Sequence, residues 1–123
     1  MHNEAIQDLE VLLGHSFRDK NLLINALSHS SIKTDDRPSN ERMEFLGDAV
    51  LGLVVSHAIM DLFPSYSEGE LSKLRASIVN EANLSRLARR IKLGEFLFLG
   101  RGEARSGGRE KASILADAYE AVL

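Results

Sequence analysis

The sequence predicts an all-α domain, and three observations carry that expectation. Apolar residues recur at helical spacing over long stretches, no segment alternates strictly between apolar and polar residues, and the 123 residues include only two Pro and 9 Gly. Strands are expected to be absent or trivial. A chain of 123 residues with 44% hydrophobic content suits one domain with a modest core, so residues 1 to 123 are read as a single unit. It contains no internal repeat, low-complexity tract or interdomain linker.

Each helix has its own start and stop signals. The first is predicted over Glu4 to Leu13 and ends at Gly14; the second runs from Asp19, a suitable N-cap, to about Leu27. Ser28 to Ser39, with Asp35, Asp36, Arg37 and Pro38, reads as a loop. A long helix follows from Asn40, which can cap it, to about Phe63, because Pro64 cannot continue it. Ser67 and Glu70 stand in capping-box spacing and open a helix toward Val79. Another is expected near Glu81 to Ile91, ending before Gly94. Gly100 to Gly108 reads as a loop or broken helical turns, and Ser113 as the cap of a last helix that reaches the chain end.

Composition narrows the chemistry. Without Cys, disulfides and thiolate metal sites are excluded, so a metal would need oxygen or imidazole ligands. Met1 to Leu13 includes Glu4, Asp8 and Glu10, unlike a secretory or transit segment, and the longest apolar run, Ala49 to Val55, is too short for a bilayer. A soluble cytoplasmic protein with no membrane partner is expected. The net charge of -3 argues mildly against a phosphate-rich partner, but it is unevenly spread: residues 1 to 70 carry -7 and residues 71 to 123 carry +4.

The long helix is the most informative segment. At about 100° per residue, Met43, Leu46, Val50, Leu53, Val54 and His57 share one face, which is expected to be core. Glu41, Glu44 and Asp48 fall on the opposite side, which turns apolar further along at Leu51, Val55 and Ile59, so the acids are expected at the wet end of a helix otherwise buried nearly all round. Acids on a helix are ordinarily solvated surface, and Glu44 with Asp48 does not alone indicate a ligand set. Asp117 and Glu120 form a second pair on one face of the last helix. Four carboxylates converging from two helices would be neutralised by two divalent cations, and all-oxygen ligands favour Mg²⁺ or Mn²⁺. Two such ions about 3.5 to 4 Å apart can activate a water and stabilise the leaving oxygen of a phosphodiester. His57 reads as a hydrogen-bonded core histidine, His29 as a structural cap, and Phe96 and Phe98 as core.

At Asn40 to Leu51 the sequence NERMEFLGDAVL resembles the hallmark motif of the ribonuclease III family. SEGELSKLRASIVN, from Ser67 to Asn80, and GGREKASILADAYEAVL, from Gly107 to Leu123, resemble the family's second and third blocks, and LSHSS and LGRGE stand in the matching order. The resemblance covers essentially the whole chain. It implies a homodimeric, metal-dependent endonuclease that cuts double-stranded RNA, leaves 5′-phosphate and 3′-hydroxyl ends with short 3′ overhangs, and serves rRNA, tRNA and mRNA processing. Carried over by residue, it implies Glu44, Asp48, Asp117 and Glu120 as the metal ligands, with Asp48 and Glu120 the catalytic pair and Mg²⁺ replaceable by Mn²⁺. Glu41 and Glu68 would support RNA or metal positioning, Gly47 would let another element approach, and Phe45 would help form the dimer contact. Lys73, Arg75, Arg101, Arg105, Arg109 and Lys111 are candidate phosphate contacts. Family members continue beyond the position of Leu123, so the resemblance implies a domain incomplete in its last helix, with no double-stranded-RNA-binding domain following. Rival readings are a non-cleaving duplex-binding scaffold, a helical dimetal oxidoreductase, which would need Glu-x-x-His pairs that are absent, and a protein-interaction module.

Overall fold

The computed structural model describes residues 2–32 and 39–123, and the helices it contains follow the order that periodicity predicts. They are α1 (His2–Leu13), α2 (Lys20–Ala26), α3 (Glu41–Leu62), α4 (Glu68–Ile78), α5 (Glu81–Arg90), the short α6 (Arg101–Arg105) and α7 (Ala112–Val122), with 3₁₀ turns at Leu93–Phe96 and Gly108–Glu110. Among the described residues the only β pairing is an isolated bridge between Ser28 and Phe98. The middle of the expected loop, residues 33 to 38, lies outside the described residues.

Several local signals act as their chemistry dictates. Asp19 Oδ1 accepts from Asn21 N at 3.0 Å, and the Ser67–Glu70 capping box forms in both directions at 3.2 Å. Asn80 caps α5 by accepting from Asn83 N at 2.8 Å. Two expected caps do not form. The Asn40 side chain is buried and donates instead to Ala26 O at 3.0 Å, while its backbone N–H donates to Ser28 O at 2.8 Å, so it ties the start of α3 to the end of α2. The N-cap position of α7 is Lys111 rather than Ser113, which lies inside the helix. Glu10 of α1 is buried and accepts from Lys20 Nζ and from Phe17 N, joining α1 to the entry of α2.

The core sits on the α1, α2 and α5 side of α7. Ile6, Leu9, Leu23, Leu27, Ala88, Leu93, Leu97, Ile114, Leu115 and Ala118 are all buried there, with Phe96 and Phe98 packed against them. α7 is the most enclosed helix: Ile114, Leu115, Ala116, Ala118, Glu120 and Ala121 are buried, and its closest packing is with α3 on one side and α5 on the other. Its alanines make that double contact possible, because a small side chain lets helix axes draw together.

α3 departs from the expected assignment of its faces. Its fully buried residues are Ile59, on the side that carries the acids, and Gly47, at the boundary between the two faces, with Leu51 and Val55 half-buried between them. The face expected to be core is largely open: Leu46, Val50, Leu53 and Val54 are exposed and Met43 is half-buried, and the flanking Phe45 is 80% exposed. His57 is exposed too, 3.8 Å from Asp61, and is not a core histidine. Apolarity alone could not distinguish the two sides, since both are apolar; the acids mark the inward one. α3 is also, among the described residues, the helix long and apolar enough to cross a membrane, although no single apolar run in it is. Its packing against α4 and α7 leaves an apolar stripe uncovered, not a whole cylinder.

Gly47 meets α7 directly: a Cβ there would collide with the backbone carbonyl of Glu120. Because backbone cannot move aside as a flexible side chain can, Gly47→Ala is expected to destabilise the domain by about 1 to 3 kcal/mol. Urea unfolding of both proteins measures it, and a change within experimental error would mean that α7 does not depend on this contact.

Candidate metal centre

The approach at Gly47 sets the distance between the acids of α3 and those of α7. Glu44 and Asp48 are one turn apart on α3, Asp117 and Glu120 nearly one turn apart on α7, and the two sets interleave. Glu44 lies within hydrogen-bonding reach of Asp117, and Glu120 within reach of Asp48. One carboxylate oxygen from each of Glu44, Asp117 and Glu120 falls within 4.8 Å of the others. Asp48 joins this trio through Glu120. A cleft of about 190 Å³ opens onto the cluster, lined by Asp48, Asp117 and Glu120 together with Asn80, Glu81, Leu84 and Ser113.

The electrostatics are those of anions confined without a counter-ion. Glu120 is only 7% exposed, and its Oε2 is enclosed with no hydrogen-bond partner. Burial first, then the hydrogen bond to Asp48 and the Asp48 charge, push its carboxyl up to about 8. Burial also raises Glu44, reinforced by the adjacent Asp117 and by Glu41 and Asp48. Asp117 is raised by its own burial, although the hydrogen bond from Glu44 pulls the other way. No Lys or Arg forms an ion pair with any of these four among the described residues. Oxygen donors with no other compensation, one of them enclosed and unpartnered, fit a hard divalent cation.

The other predicted residues are placed apart from this cleft. Glu41 is exposed and accepts from Ser39 Oγ at 3.2 Å; Glu68, at the start of α4, accepts from Ser72 Oγ at 2.9 Å. Neither lines the cleft. Of the basic candidates, Arg75 donates to Ser56 Oγ at 2.9 Å, Arg109 to Gly94 O and Leu97 O at 3.1 and 2.7 Å, and Lys111 pairs with Glu103 at 2.8 Å. Lys73, Arg101 and Arg105 are exposed. His29 Nδ1 accepts from Ser31 N at 3.0 Å, the local capping role expected of it.

Comparison with known proteins decides the family. The sequence profile described as Ribonuclease-III-like matches residues 19–123. The chain belongs to the ribonuclease-III-like family. It is 51% identical to "Ribonuclease 3" of Syntrophobacter fumaroxidans over 98% of this chain and 52% of that protein, and 54% identical to "Ribonuclease 3" of Aliarcobacter butzleri over 94% and 50%. The chain thus spans about half the length of the curated relatives it matches. Two solved structures of the nuclease domain of ribonuclease III from Campylobacter jejuni superpose with TM-scores of 0.91 and 0.88, at 50% and 49% identity. They are matched over 95% and 94% of this chain and over 80% and 78% of theirs, and the first is described in terms of structural flexibility in a region involved in dimer formation.

Within this ribonuclease-III-like domain the sequence reading missed Asn80 and Glu81. Both line the cleft, and the Glu81 charge raises Asp117. Glu81 carried no distinguishing signal, because an acid in the first turn of a helix is what the helix dipole favours anyway.

The raised Glu120 makes stability depend on pH in a definite direction. Its carboxyl is higher in the folded chain than at its ordinary value of 4.5, so the folded state holds the proton more tightly. The stabilisation is complete below about 4.5 and is lost as pH rises through about 8. In chelator, the melting temperature should therefore fall between pH 5 and pH 9, and Glu120→Gln should flatten that part of the profile and raise melting at the alkaline end. Scanning calorimetry across pH checks this; a variant that falls with pH as steeply as the parent removes Glu120 as the cause.

Proposed function

We propose that this domain is a divalent-metal-dependent endonuclease that cuts double-stranded RNA as a homodimer, with Glu44, Asp48, Asp117 and Glu120 as metal ligands and Mg²⁺, replaceable by Mn²⁺, as the ion. The observation that carries the proposal is the trio of Glu44, Asp117 and Glu120 oxygens within 4.8 Å of one another, with Asp48 beside Glu120 on the adjoining cleft and an enclosed Glu120 oxygen that has no partner. A helical bundle has no structural need to crowd like charges around a buried carboxylate, and leaving that group unpaired is costly. Bound cations would supply an activated water and stabilisation of the leaving oxygen at a phosphodiester. The chain's own residues set the geometry: α7 fixes Asp117 and Glu120 by burial on both flanks, α3 brings Glu44 and Asp48 across Gly47, and Asn80 and Glu81 wall the opening where substrate enters. Cleavage leaving 5′-phosphate and 3′-hydroxyl ends, in RNA processing in the cytoplasm, follows from the family reading.

Duplex RNA is read mainly through phosphates and 2′-hydroxyls, so affinity should rest on cations outside the acid cleft. Lys73, Arg101 and Arg105 are the freest of the candidates for that role, with Arg75, Arg109 and Lys111 partly committed to internal bonds. Glu41 and Glu68 are assigned supporting roles, in positioning RNA or metal. Glu120→Gln should lower single-turnover cleavage by about two to four orders of magnitude or more while duplex affinity in a gel shift is retained. Arg105→Ala should do the reverse, weakening affinity and reducing its salt dependence by about one phosphate contact. Cleavage by Glu120→Gln at close to the parent rate would return Asp117 and Glu120 to ordinary helix acids.

The second copy is assigned to the open face of α3. Phe45, Leu46, Leu53 and Val54 form an apolar stripe that a symmetric partner would cover, and a duplex offers two strands to two sites. Phe45→Asp with Leu53→Asp should give a monomer by analytical ultracentrifugation at micromolar concentration, with the helical circular-dichroism signal retained. A double variant that still sediments as a dimer would move the subunit contact elsewhere.

A further inference from the structure

Beyond the acid cleft, the cavity at the C-terminal end of α5 has a different chemistry. It measures about 280 Å³, shares no lining residue with the cleft, and gathers Arg89, Lys92 and Arg109 over a floor that includes Leu115. Two of these cations are fixed in place. Arg89 donates from Nη2 to Glu110 O at 3.0 Å and from Nη1 to Ser85 Oγ at 3.5 Å, and Arg109 is clamped through Nη1 by the Gly94 and Leu97 carbonyls. The clamp is tight because the Gly94 backbone abuts Arg109 O, where a Cβ would collide. Glu95 and Glu110 line the same cavity, yet neither carboxylate forms an ion pair with any of the three cations.

Lys92 stands where α5 stops, and its residue type there is unusual. A cation in the last turn of a helix, such as Arg89, offsets the helix dipole. Lys92 lies past that turn in the left-handed conformation, φ 56° and ψ 36°, where Gly is the usual residue. It is the only non-glycine residue with positive φ among the described residues, and its ammonium makes no hydrogen bond or ion pair there. Lys92 is exposed, so this left-handed turn holds a solvated, unpaired charge at the mouth of the cavity, where a ligand can reach it.

We propose that this cavity is a phosphate-binding site, with Lys92, Arg89 and Arg109 as its donors. Guanidiniums pinned by one edge keep their remaining N–H groups oriented at little further entropic cost, and the lysine adds a point charge. A cavity near the lower end of the roughly 300–1,000 Å³ range for small ligands admits a phosphate with a small attached group. The phosphate could be supplied free, as inorganic phosphate or a mononucleotide, or by a nucleic-acid backbone passing over this face.

The test is an NMR titration of the isotopically labelled chain with inorganic phosphate, without divalent metal, beside the Lys92→Gly variant. Glycine relieves the left-handed strain, so the variant should melt at the same temperature or higher, which separates loss of binding from loss of fold. Saturable shifts at the Gly94 and Leu115 amides are expected, with affinity about tenfold weaker in Lys92→Gly. A short RNA duplex in chelator forms the second arm. If the backbone is the source, Lys92→Gly also weakens duplex binding and lowers its salt dependence by about one contact; if free phosphate is the source, duplex affinity is unmoved. Shifts that never saturate, or equal phosphate and duplex affinities in parent and variant, overturn the proposal. None of these readouts uses cleavage, so they remain decisive if the nuclease reading fails.

Discussion

Backbone meets backbone where α7 crosses α3 at Gly47, and most of what is distinctive in the domain depends on that contact. Any side chain larger than hydrogen at this position would displace the Glu120 carbonyl, and with it the helix that carries half of the acids. The same approach requires α7 to be slim, which its alanines provide, and requires something on the far side to hold it, which Leu84, Ala88 and the core cluster provide. Close packing therefore precedes the electrostatics: the acids are crowded because the helices are close. The cost of that crowding is borne by an apolar core on the opposite flank of α7.

Much of this is legible in the amino-acid sequence. Helix order, the Ser67–Glu70 box, the Asp19 cap and the stop at Gly14 are local events, decided by a few neighbouring residues, and the sequence states them openly. The pairing of Glu44 and Asp48 with Asp117 and Glu120 is legible only in part: acids at i, i+4 and i, i+3 on two helices allow them to converge without requiring it, and the family resemblance singles out the same four. The faces of α3 were not legible. A helix apolar on two sides can put either one inward, and the answer lies in a packing partner more than fifty residues away. Asn40 failed as a cap for a similar reason, since a buried carbonyl at Ala26 competed for its side chain and won.

The two charged cavities differ in sign but not in the same degree. The acid cleft gathers Asp48, Glu81, Asp117 and Glu120 with no cation in its lining, whereas Arg89, Lys92 and Arg109 share theirs with Glu95 and Glu110 and keep only a small positive excess. The uneven charge along the chain does not foretell this: Glu81, Asp117 and Glu120 belong to the net-positive residues 71 to 123, because charge counted along a chain does not reveal which residues the fold gathers.

Asn40 makes the two ends of this part of the fold move as one. Its side chain and backbone bond to Ala26 and Ser28 at the end of α2, so the start of α3 is referenced directly to that helix. The Asn40 carbonyl in turn accepts from the Glu44 backbone N–H at 2.8 Å, which places the first acid of the cluster one helical turn from the junction. A substitution that shifts α2 within the core, however remote from the acids, therefore reaches the register of Glu44 and Asp48 through this one buried side chain.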